Sequence, residues 1–213
     1  VAMALAHVGA DIVLGARSQE SLRSAAKSVV DLGVNVETVV VDVTDADDVA
    51  RVFAQTHARL GRLDALIPNS VDQAIGKHIF NTTPQDLEEA LRVNVAGVFL
   101  CCQQAARIMR RQKAGGAIVL MGSVQARGGV AGRTLYAATK GAIASLNRAL
   151  AYELAEFGIR VNNLVAGAIH TPRWDGQSAE ETARRRRQYP LGREATMEEV
   201  AAAAYFLATE ASA

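Results

Sequence analysis

The sequence predicts a doubly wound α/β domain on a parallel sheet. Three observations carry that expectation. Short runs rich in Val, Ile and Leu alternate with longer segments of helical period. The helical segments carry readable start and stop signals. No repeat, low-complexity linker or composition break divides the 213 residues, half of which are hydrophobic, so residues 1–213 read as one domain with one core.

Taken in order, residues 1–10 read as the body of a helix and residues 11–14 as the first strand, with Ser18 capping the helix that follows and Gly33 ending it. Strands follow at 36–43 and 63–67. Thr83 caps the next helix, with Pro84 at its first position and Asp86 in its first turn. A strand at 117–121 leads to a helix in which Leu146, Leu150 and Leu154 recur at helical spacing, as core or subunit-interface positions. Gly158 ends that helix before a strand at 159–165, and Thr196 with Glu199 forms a capping box for the final helix. This order is Rossmann-like.

Composition excludes several function classes. Lys plus Arg (23) nearly balances Asp plus Glu (22), so no net field recruits nucleic acid or an anionic membrane. The apolar runs are strand-length, far short of the roughly 20 residues that span a bilayer. Cys101 and Cys102 are adjacent, which suits neither a disulfide framework nor a zinc site and fits a reducing cytoplasm.

The chemistry is concentrated in Ser123, followed thirteen residues later by Tyr136 and then by Lys140. Tyr136 and Lys140 are i and i+4 on one helix face. A cation near a phenol favours the phenolate, which makes Tyr136 a candidate general acid/base. Ser123 lies at the carboxyl end of a strand, where ligands of open α/β sheets sit. A Tyr-x-x-x-Lys pair alone also describes a half-buried tyrosine beside a solvated lysine, so the surrounding segments have to decide.

Those segments resemble the short-chain dehydrogenase/reductase family, in its members of about 250 residues. The matching stretches are Asn94-Val95-Ala96-Gly97, Asp42-Val43, Gly158 to Asn162, Ala166 to Pro172, and Pro190-Leu191-Gly192-Arg193, in family order from Val1 to Ala213. Within the family the pattern is nearest to 3-oxoacyl-carrier-protein reductases and to sugar or polyol dehydrogenases. The resemblance implies a catalytic tetrad of Asn94, Ser123, Tyr136 and Lys140 and no metal. Tyr136 would exchange a proton with the substrate oxygen and Ser123 would hold that oxygen. Lys140 would tune Tyr136 and bind the nicotinamide ribose, and the Asn94 backbone would hold a water. It further implies cofactor contacts at Asp42, Val43, Asn69, Tyr136, Lys140, Ile169 and Thr171, a small carbonyl or alcohol substrate, and a homo-oligomer, tetramer or dimer. The cofactor is read as NADP rather than NAD, because Ala16 offers no carboxylate to a ribose hydroxyl and Arg17 offers a guanidinium to a 2′-phosphate.

Departures from the family pattern are also legible. Its first strand, its glycine-rich turn and its last strand are not found, and the first of these lies mid-sheet in the family order, so the chain reads as part of a longer one. Buried sheet edges left without partners cost about 1–3 kcal/mol per group, against a total stability of about 5–15 kcal/mol. Pro68-Asn69-Ser70-Val71 stands where Asn-Asn-Ala-Gly is usual, and Ala166-Gly167 where Pro-Gly is usual. The alternative is a catalytically silent paralogue that senses cofactor or serves structure; the four retained catalytic residues argue against it. The four arginines 184–187 read as a solvated helix face within the substrate lid. His170 reads as a surface residue with a possible substrate contact, and Trp174 as lining the pocket or packing the lid.

Overall fold

A computed structural model describes residues 1–72 and 77–212, with only the backbone at Arg173. Helix α1 (Ala2–Ala6) leads into β1 (Ile12–Ala16), α2 (Gln19–Val30), β2 (Val36–Val40), α3 (Ala46–Leu60) and β3 (Ala65–Leu66). After residue 77 come α4 (Pro84–Leu91), a π-turn over Arg92–Gly97, α5 (Val98–Gln112), β4 (Gly116–Ser123), α6 (Thr134–Leu154), β5 (Ile159–Ala166), α7 (Ala179–Arg186) and α8 (Met197–Ala208). The doubly wound α/β class expected from the sequence is the class observed.

Local chemistry sets most of the boundaries. Ser18 accepts from the Ser21 N–H at the start of α2, and Thr83 and Thr196 form full capping boxes with Asp86 and Glu199. Gly33 and Gly158 take positive φ where their helices stop, as their lack of a Cβ allows. Gly115 is also in the left-handed region, and a Cβ there would stand 2.5 Å from the Gly158 carbonyl oxygen. The chain can therefore enter β4 and β5 side by side only without that side chain.

Among the described residues all strand pairings are parallel, and they form two sheets. β1 pairs with β2 from Ile12↔Val36 to Ala16↔Val40, and β4 lies between β3 and β5. Side chains hold the halves together. Val41 packs with Val49 and Val52 of α3 and Cys101 of α5, flanked by Val39, Val43 and Leu66. β4 is the most deeply buried strand, with Ile118, Val119 and Leu120 fully covered. Ile118 and Leu120 pack with Ile143 of α6 and Met109 of α5, and Leu146, Leu150 and Leu154 line that cluster. A central buried strand between helices fixes its carboxyl end in place, and Ser123 is at that end.

Candidate active site

The site residues predicted from the sequence lie at the carboxyl ends of the parallel strands. Arg17 follows β1, Asp42 and Val43 follow β2, Asn69 follows β3, Ser123 ends β4, and Ile169 and Thr171 follow β5. That is the edge at which open α/β sheets hold ligands.

Ser123 is buried, and its Oγ accepts from the Gln125 N–H at 3.2 Å, which starts a short 3₁₀ turn over Val124–Ala126. Lys140 comes from α6 to the same strand end. Its Nζ donates to the Met121 carbonyl at 2.6 Å, two residues before Ser123, and lies 5.6 Å from the centroid of the half-buried Tyr136 ring. Burial lowers the Lys140 pKa from the ordinary lysine value. The Lys140 cation and the Ser123 hydroxyl are thereby held at the end of one strand, with the Tyr136 ring beside the cation.

Asn94 is buried at the centre of the π-turn that joins α4 to α5. Such turns widen a helix by one residue and recur at functional sites. The Asn94 side chain clamps the segment after β3, accepting from the Asp72 N–H and donating to the Asp72 carbonyl, each at 2.6 Å. It also donates to Thr139 Oγ1 at 3.2 Å, and that hydroxyl donates to the Tyr136 carbonyl at 2.9 Å. Thr139 was not singled out in the sequence. The available signal was its position three residues after Tyr136, from which a threonine hydroxyl can bond back to the helix carbonyl.

At the other end of the strand edge, Asp42 Oδ1 accepts from the Thr44 N–H at 2.9 Å and the Thr44 hydroxyl at 2.8 Å. These bonds, with the nearby Arg17 and Arg92 guanidiniums, hold the Asp42 carboxyl below its ordinary pKa. Arg17 is exposed, as is Asn69. Val43 packs under the π-turn so closely that a Cβ on Gly97 would come within 2.8 Å of Val43 Cγ2. Beyond β5, Thr171 Oγ1 is buried without a hydrogen-bond partner among the described residues. A buried hydroxyl without a partner is costly, and a polar ligand group at that position would satisfy it. With the donors Lys140 and Arg17 and the acceptor Asp42 along the same edge, the polar groups suit an elongated, phosphate-bearing cofactor.

One sequence expectation is corrected. The arginines 184–187 are not uniformly solvated: the Arg185 side chain is only 11% exposed and is bound to Glu194, itself 1% exposed. A run of like charges gives no sign of this, because the partner lies nine residues on, beyond a turn. His170 is half-exposed, with Nε2 3.4 Å from Asp175, and Trp174 lies under Arg185. Cys101 and Cys102 are free thiols whose pKa values burial pushes up to about 11 and about 12, so neither is a thiolate nucleophile at neutral pH. Among the described residues, no group of three or more His, Cys, Asp or Glu could hold a metal ion, and no helix is long and apolar enough to cross a membrane.

Known proteins resemble this chain in sequence and in fold. The family pattern described as Enoyl-(Acyl carrier protein) reductase matches residues 1–213. A 3-oxoacyl-[acyl-carrier-protein] reductase of Thermotoga maritima is 34% identical over 209 residues, 97% of this chain and 83% of that protein. An L-fucose dehydrogenase of Oryctolagus cuniculus is 38% identical over 177 residues, which is 80% of this chain and 62% of that protein's length. Among solved structures, a gluconate 5-dehydrogenase from Burkholderia cenocepacia in complex with NADP and tartrate superposes with a TM-score of 0.90 at 31% identity, covering 99% of this chain and 83% of that one.

Proposed function

Because the chain belongs to the short-chain dehydrogenase/reductase family, we propose that it is an oxidoreductase moving hydride between NADP(H) and a ketone/secondary-alcohol pair, with Tyr136 as general acid/base. The observation that carries this reading is the buried Lys140 ammonium, fixed by the Met121 carbonyl at the end of β4 and set beside the Tyr136 ring.

When bound, the nicotinamide supplies or accepts the hydride. The protein's part is to hold and move a proton at the substrate oxygen. Ser123 Oγ, with its lone pair engaged by Gln125 N–H, keeps its own proton free to donate to that oxygen. Tyr136 Oη gives its proton to the oxygen in reduction and takes it back in oxidation, with the Lys140 ammonium held 5.6 Å from its ring centroid. Asn94 acts through structure: its side chain is used up on Asp72 and Thr139, which leaves its backbone in the widened turn as the group for a bound water. Lys140, Tyr136, Ile169 and Thr171 would hold the nicotinamide end of the cofactor, and Asn69, Asp42, Val43 and Arg17 the adenosine end.

NADP over NAD rests on Arg17. Its exposed guanidinium follows Ala16 at the end of β1, and no carboxylate stands at that strand end to accept a ribose hydroxyl. Steady-state kinetics with both cofactors test it. Arg17→Ala should lower kcat/KM for NADPH by about 10- to 100-fold, the worth of charge-assisted hydrogen bonds, and leave that for NADH nearly unchanged. A wild-type preference for NAD(H), or an unchanged ratio in the variant, would refute the assignment.

A small-molecule substrate follows from the same reading. A homo-oligomer, tetramer or dimer, is supported by the apolar side chains left on the outer faces of α5 and α6, with Tyr152 90% and Phe99 42% exposed. Free buried thiols fit a reducing cytoplasm.

A further inference from the structure

Helix α7 is eight residues long, its mean composition is strongly polar, and none of its residues is buried. Apolar packing therefore cannot dock it. Glu194 does the docking instead. Its carboxylate, in the turn before α8, receives Arg185 Nε at 2.5 Å and Arg186 Nε at 3.0 Å, one guanidinium to each oxygen. Burial alone would raise its pKa, but the bonds from Arg185, its own backbone N–H and Arg186 hold it at about 2. Arg185 also donates to Gln177 Oε1 and lies over Trp174, with its Cζ 4.2 Å from the ring centroid. The Trp174 indole N–H donates to the Ile169 carbonyl at 3.1 Å. Ile169 pairs with Ala195, whose N–H donates to the Ala168 carbonyl and whose carbonyl accepts from the His170 N–H. Ala195 is the residue after Glu194, so these contacts close a ring through α7, Trp174 and the loop that carries Thr171.

We propose that Glu194 is a positioning residue which, through Arg185, Arg186 and Trp174, clamps α7 onto the loop of Ile169 and Thr171 and so sets the substrate-side wall of the site. The role of that wall rests on the oxidoreductase reading above; the clamp itself does not. A buried ion pair is seldom more stabilising than an apolar contact of the same volume, so a carboxylate here contributes through the orientation it imposes rather than through net stability. Glu194 touches no reacting atom. Its loss should act on substrate binding more than on proton transfer.

Trp174 is the only tryptophan in the chain, so its emission reports the clamp without substrate or cofactor. Glu194→Gln and Arg185→Gln should each shift that emission to the red and increase its quenching by acrylamide, and the double variant should do no more than either single one, as members of one network behave. Arg185→Lys keeps a charge for Glu194 but loses the guanidinium over Trp174, and should fall between; it also carries the test if Glu194→Gln does not fold. In turnover, KM for the carbonyl substrate should rise about tenfold in Glu194→Gln, within the range of coupling between contacting residues, with kcat little changed. Wild-type emission and quenching in the folded variants would overturn the clamp. A shifted emission with unchanged KM would overturn its role in positioning. Absence of any NADP-dependent turnover in the full-length wild-type protein would instead refute the oxidoreductase reading and leave the emission result to judge the clamp.

Discussion

In the full-length protein Tyr136→Phe is expected to lower kcat by about 10²- to 10⁴-fold, the usual contribution of a positioned general acid/base, while leaving cofactor affinity nearly intact. The change removes one oxygen. The ring stays, so the Lys140 ammonium keeps its neighbour at 5.6 Å from the ring centroid. The hydrogen bond that ties this turn of α6 to the Asn94 network uses the Tyr136 backbone carbonyl and not its side chain. The fold therefore has no reason to respond, and a loss of rate can be assigned to the missing proton donor. Single-turnover hydride transfer followed at the nicotinamide absorbance, beside a cofactor titration, separates the two effects. Turnover close to wild type in the Phe variant would mean that another group moves the proton.

Lys140→Met should reduce both cofactor affinity and kcat, with kcat/KM down by about 10²-fold or more. Methionine fills much of the buried volume but brings no charge, so the ribose loses a donor and the Tyr136 ring loses the cation beside it. The Met121 carbonyl also loses the donor that stands 2.6 Å away. That loss costs about 1–3 kcal/mol where the carbonyl stays dry, offset in part because a buried ammonium no longer has to be desolvated. The split between Kd and kcat distinguishes this variant from Tyr136→Phe, where only kcat moves. Equal losses in both variants, with binding untouched, would reduce Lys140 to an accessory of Tyr136.

Much of this was legible in the chain because it is written locally. The Thr83 and Thr196 caps, the glycine stops at Gly33 and Gly158, and the Tyr136–Lys140 spacing each depend on residues a turn or less apart, and each stands where the sequence puts it. Strand limits were less exact. β3 shrinks to Ala65–Leu66 from the expected 63–67, and β2 stops at Val40, before the turn that Asp42 makes with Thr44. A strand ends where its neighbour stops pairing with it, and the neighbour is not in the local sequence. The same limit applies to the site. The residue types along the strand edge could be named, but the Asn94 bonds to Asp72 and Thr139 bridge 22 and 45 positions. The burial of Glu194 between two arginines is a tertiary fact that charge patterning reads as solvation.

The depth of β4 has a consequence for how the molecule opens. Its residues Ile118, Val119 and Leu120 are fully covered, and it pairs with β3 on one side and β5 on the other. Amide protons on such a strand reach solvent only when the whole fold opens, whereas those of exposed turns exchange through local fluctuations. Met121, whose carbonyl holds the Lys140 ammonium, lies on that strand. A ligand bound beside this ammonium would add its binding free energy to the protection of β4, and the slowing of exchange there would measure its affinity without any turnover.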